Sequence, residues 1–83
     1  GKLQSKHLIR IFMYRIKVNG VIPPQINGFE NYFHYGDIAE SFAYAYATKQ
    51  AITYNHRPRL ILNQEYEFGL GEDAVLITIV EGQ

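Results

Sequence analysis

Glu65-Tyr66-Glu67 is the pair of acids in this chain whose spacing points most directly to chemistry. Residues two apart on a strand share a face, so the two carboxylates would stand side by side. Paired carboxylates divide acid and base work once they are desolvated, here on a nucleotide or a sugar. The same spacing is also what any strand with one wet face produces, and solvation is the expectation for Glu65 and Glu67.

Tyr54-Asn55-His56-Arg57-Pro58-Arg59 forms a second constellation. Arginine forks suit phosphates and carboxylates, and Tyr54 is placed to stack on a base. Tyr54, His56, Arg57 and Arg59 are therefore the candidate phosphate or nucleic-acid contacts. The plainer expectation is a solvated loop whose arginines pair with Glu65, Glu67 or Glu72, because a short basic patch without net positive charge is weak evidence.

Other chemistry lacks its parts. His7, His34 and His56, with Asp37 nearby, form no H-x-x-H or H-x-x-x-H spacing, and a zinc site takes about four ligands. No metal and no cofactor are expected. Ser5 lies in an expected loose end, and Ser41 lies inside an expected helix with no histidine close in sequence. Gly69-Leu70-Gly71 is followed by two acids that would repel a phosphate, and it reads as a hairpin loop. No catalytic residue is assigned.

The aromatic residues Phe29, Tyr32, Phe33, Tyr35 and Tyr44 are more informative. A small core cannot hide them all, and exposed tyrosines are good contact residues at protein interfaces. Phe29, Tyr32, Tyr35 and Tyr44 are the candidate contacts to a protein partner. The alternative is that Phe29 and Phe33 complete the core and the tyrosines line its rim.

These residues are positioned by one helix and a few strands. Tyr35–Ala51 carries alanine at 39, 43, 45, 47 and 51, and alanine is the best helix former. Asp37 is the expected N-cap, with Glu40 three residues later as a capping-box partner. Ile38, Phe42, Ala45, Tyr46 and Lys49 define the buried stripe, widened by Ala39, Ala43 and Ala47. Glu40, Tyr44 and Thr48 fall outside it, so Tyr44 is expected to be exposed.

His7–Asn19 reads as the first strand, with Tyr14, Ile16 and Val18 on one face and Arg15, Lys17 and Asn19 on the other. Asn19-Gly20 and Asn27-Gly28 are turns. Pro23-Pro24 forces an extended path. Phe29–Tyr35 reads as a short edge strand or an aromatic loop, and Asn55 as a left-handed helix-terminating residue. Arg59–Phe68 alternates, apart from Ile61 and Gln64. Ala74–Val80 is apolar on both faces except at Thr78, the pattern of a central strand.

The expected fold is α+β in the order β(β)αββ: a small antiparallel sheet of three to four strands with one helix packed on one face. Eighty-three residues allow a single small domain, with Gly1–Lys6 a loose or appended end. A hydrophobic fraction of 47% argues against disorder. Charge is balanced overall, but residues 1–36 carry five cations against one acid and residues 37–83 three against seven, which hints at a bipolar surface. No apolar run reaches membrane-spanning length, so no membrane association is expected. The lack of cysteine fits a reducing interior, and a cytoplasmic location is expected.

The leading expectation is a small non-enzymatic binding module that meets a protein partner through exposed aromatics and a mixed-charge sheet face. Small inhibitors, adaptors and assembly subunits of bacterial or phage type offer the analogy. A homodimer through a sheet edge or the apolar first strand is a corollary. A nucleic-acid-binding regulator using the Tyr54–Arg59 loop is the alternative, and an enzyme acting through Glu65 and Glu67 ranks third.

Overall fold

A computed structural model describes residues 13–53 and 56–82 of the chain. Strands β1 (Met13–Val18), β2 (Gln25–Ile26) and β3 (Phe29–Glu30) precede a single described helix, α1 (Gly36–Thr48). Strands β4 (Glu65–Phe68) and β5 (Val75–Gly82) follow it, joined through a short 3-10 turn at Gly71–Asp73. The main sheet is antiparallel in the order β1-β5-β4, and β2 and β3 form a separate two-stranded hairpin. The expected α+β class and the expected central position of the last strand both hold.

The apolar spacing of β5 explains that position. Ile77 and Ile79 point toward α1 and are almost wholly buried. Ile79 pairs with Ile16 on β1, and Ile77 with Val18 on β1 and Tyr66 on β4. Ile16, Ile77 and Ile26 are fully buried, and each contributes about 1.5–3 kcal/mol by leaving water. Ile38, Phe42, Tyr46, Leu60, Leu62, Phe68 and Val75 pack around this centre.

The helix differs from its expected form in four respects. It runs Gly36–Thr48 rather than Tyr35–Ala51, because Lys49 turns into the left-handed region (φ 59°) and its N–H returns to the carbonyls of Ala45 and Tyr46. The expected terminator Asn55 lies outside the described residues. The N-cap position is Tyr35, which makes no side-chain cap bond; Asp37 is already helical and acts only as a negative charge at the positive end of the dipole. Glu40 does not close a capping box but is drawn off to Leu60. Ala39, Ala43 and Ala45 are the residues pressed against the core, and Tyr44 beside them is buried, not exposed.

The long alternating segment is also shorter than its pattern. Only Glu65–Phe68 forms strand; Asn63 has φ 67°, and the N–H of Gln64 bonds the carbonyl of Ile61, making a turn at the two residues that interrupt the alternation. In the first strand, 7–12 lie outside the described residues. The two Asn-Gly turns appear as expected, with positive φ at all four residues; the second turn closes the β2–β3 hairpin, and the first lets Val18 and Val21 bridge.

The outer edge of β1 is sealed. Tyr14 exchanges backbone hydrogen bonds with Phe33 at 2.7 and 2.9 Å, and Val18 does the same with Val21 at 2.6 and 3.0 Å. Between them, Asn31 replaces a strand with its side chain. Its Oδ1 accepts the Ile16 N–H at 2.8 Å, and its Nδ2 donates to the Ile16 carbonyl at 2.9 Å and to the Pro23 carbonyl at 2.7 Å. Asn31 is only 3% exposed, so these bonds are made away from competing water.

Candidate functional site

Because α1 covers one face of the sheet, the opposite face is set by the register alone. Residues paired across strands point the same way. Lys17, Thr78 and Glu65 therefore form one row across all three strands. Arg15 and Val80 form the next row on one side, and Leu76 and Glu67 the next on the other. The face has a basic flank on β1, an acidic flank on β4 and an apolar middle on β5. Leu76 and Val80 are half-buried, while Thr78 is only 9% exposed. Among the described residues no helix or strand lies over this face. The single ion pair among them is Arg59–Glu40, so Arg15, Lys17, Glu65 and Glu67 are not neutralised there.

Glu65 and Glu67 are thus adjacent on one face, as their spacing requires. Both are exposed and line neither of the main clefts, so the geometry provides no desolvation for acid or base work.

The candidate aromatics do not form one patch. Tyr35 is 69% exposed and Phe29 57% exposed. Phe29 still stands edge-on to Phe42 with ring centres 5.4 Å apart, and Phe42 in turn meets Phe33 at 4.9 Å. Tyr32 is half-buried under the Arg15 guanidinium, 5.2 Å above its ring, and meets His34 edge-on at 5.8 Å. This stacking ties Tyr32 to the basic flank of the open face.

Tyr44 sits elsewhere, against the basic loop. Its hydroxyl donates to the Pro58 carbonyl at 2.5 Å, and its ring meets Phe68 edge-on at 5.6 Å. Arg57 lies over the same ring at 4.8 Å. Burial, then the nearby Glu40 charge, with Tyr66 adding to both, raises the Tyr44 phenol above its ordinary value of 10.0; Arg57 opposes them.

One candidate from each set, Tyr44 and Arg57, thus satisfy each other. Arg59 lies 3.7 Å from Glu40 with its side chain 87% exposed. His56 is exposed. Tyr54 falls outside the described residues, as do His7 and Asn55. The arginines do not pair with Glu65, Glu67 or Glu72; Glu40 is the acid that Arg59 meets, because the loop runs along the helix rather than along β4.

Two clefts flank these elements. One of about 320 Å³ lies between Pro23-Pro24, Glu30, Tyr32 and Arg15. The other, about 250 Å³, is bounded by Tyr14, Gly36, Glu40, Leu60–Leu62 and Ile79. No cluster of three or more metal-binding side chains occurs among the described residues, and no helix among them is long and apolar enough to cross a membrane.

The residues that sequence reading passed over are Leu76, Thr78 and Val80 as surface groups. Their signal was present: a strand apolar on both faces, with a single helix expected to cover one of them. Set against protein-family models, curated proteins and solved structures, the chain matches none of them at a significant level.

Proposed function

We propose that this protein is a small non-catalytic binding module whose protein-binding surface is the open face of the β1-β5-β4 sheet. One observation carries the reading. β5 is apolar on both sides, as strands covered on both sides are, yet among the described residues only the α1 side carries a covering element. The flanks support it, since unneutralised charges of opposite sign bordering an apolar strip favour a specific over an indiscriminate partner. Tyr32, stacked under Arg15, extends the surface from the side of the hairpin.

The test is capture from a native-host lysate after nuclease treatment, comparing the wild type with Leu76→Asp. The expected outcome is a protein retained by the wild type and lost by the variant. Retention by both overturns the reading, as does retention by neither when the protein also stays monomeric at high concentration.

A second reading keeps one observation of its own: the Arg59 guanidinium and His56 stand exposed at the end of the helix-flanking loop. A nucleic-acid partner there would give binding that falls steeply with salt. Affinity that is flat across salt removes it.

A further inference from the structure

We propose that the occupant of the open sheet face is a second copy of this chain, packed face to face about a two-fold axis parallel to the strands. The inference rests on the binding reading above and names its partner.

The charge pattern selects this arrangement. Two like sheets can stack in register about an axis along the strands or about an axis across them. An axis across the strands lays β1 on β1 and β4 on β4, setting Arg15 and Lys17 against themselves and the glutamates against themselves. An axis along the strands lays β5 on β5 and β1 of one protomer on β4 of its partner. Because Lys17, Thr78 and Glu65 share one row, that operation places Lys17 of each protomer opposite Glu65 of the other, on either side of paired Thr78 residues. The face is self-complementary, as an isologous interface must be. It covers Leu76 and Val80, the apolar groups that α1 cannot reach. Aligned packing of two sheets about 10 Å apart is an ordinary architecture.

Size sets the strength. Strands of six, eight and four residues, about 4.8 Å apart, present roughly 300 Å² per protomer. A stable interface typically buries about 800 Å² per partner. Self-association is therefore weak.

Sedimentation equilibrium at concentrations up to about 1 mM reads this directly. Lys17→Glu and Glu65→Lys lie on the open face, and each sets two like-charge pairs against one another in the dimer. Each is expected to weaken self-association by about tenfold or more with an unchanged thermal midpoint at low concentration. Mixing the two variants in equal amounts restores both opposite-charge pairs, and a heterodimer of wild-type strength is expected. A wild type that stays monomeric, single variants that associate like the wild type, or a mixture that fails to recover each overturns the proposal. Pairing through the β4 edge would leave Lys17→Glu unaffected, which is one of those outcomes. A monomeric wild type that still captures a protein through Leu76 overturns the dimer alone. A monomer with no Leu76-dependent capture overturns the binding reading as well.

Discussion

Two irregular stretches flank the core, and they are fastened by opposite means. Residues 19–33 run along β1, and their hold is a neutral amide: Asn31 is buried and makes three hydrogen bonds to backbone groups. Asn27 adds a donation to the Phe42 carbonyl at 3.1 Å. Residues 56–64 run along α1, and the hold comes from the other partner. The helix sends out Glu40, which accepts the Leu60 N–H at 2.6 Å, and Tyr44, which donates to Pro58. Tyr66 of β4 accepts the Ile61 N–H at 2.9 Å. Of these anchors the Tyr44 phenol is held in its protonated form above its ordinary range, whereas Asn31 carries no ionisable group. The comparison teaches that one flank is held by a neutral amide built into the sheet, while the other leans on a phenol, Tyr44, whose bond is lost when it ionises.

The sharpest way to break the comparison is Asn31→Ala. It strands the Ile16 N–H and carbonyl in a buried setting, and a loss of about 3 kcal/mol or more is expected in urea unfolding. Glu40→Ala comes next, at about 2 kcal/mol, since it removes a charge-assisted bond from a carboxyl group that is only 17% exposed. Protection of the Leu60 amide from hydrogen exchange should fall with it, while the Ile16 amide stays protected.

Tyr44→Phe removes a single bond and should cost about 1 kcal/mol near neutral pH. Its larger diagnostic value lies at alkaline pH. The folded phenol holds its proton more tightly than the unfolded one. Its contribution is therefore complete below about pH 10 and is lost as pH rises through the raised value. Thermal midpoints measured from neutral to strongly alkaline pH should fall less steeply for Tyr44→Phe than for the wild type. An identical fall would mean that the ring is not shielded. Arg59→Ala is the smallest effect, at most about 0.5 kcal/mol, because its guanidinium is largely in water.

The parts of this picture that were legible in sequence are those fixed by local rules. The Asn-Gly turns, the alanine-rich helix and the apolar Ala74–Val80 segment each carry their own periodicity or φ requirement. The charged rows on the open face followed from alternation. What failed depended on a distant partner. Tyr44 looked exposed because its helical position faces away from the isoleucines, yet Pro58, Phe68 and Arg57 arrive to cover it. Glu40 looked like a capping residue because its spacing to Asp37 was right, but an unpaired N–H at Leu60 competed for the carboxylate and won. Asn31 gave no signal at all: nothing in Phe29–Phe33 marks one amide as a substitute for a strand. Among the candidate contacts, the sequence could not separate Tyr35, which faces solvent, from Tyr44, which does not.

The closure of β1 also bears on polymerisation. A subunit that adds to a growing sheet must offer two bonding edges, one to receive its predecessor and one to receive its successor. Along Met13–Val18 the outward backbone groups are already taken by Val21, Asn31 and Phe33. Only the four-residue β4 border is left for strand addition among the described residues, and it carries two glutamates. In the language of chain growth the main sheet is monofunctional there: it can terminate a cross-strand ribbon but cannot propagate one.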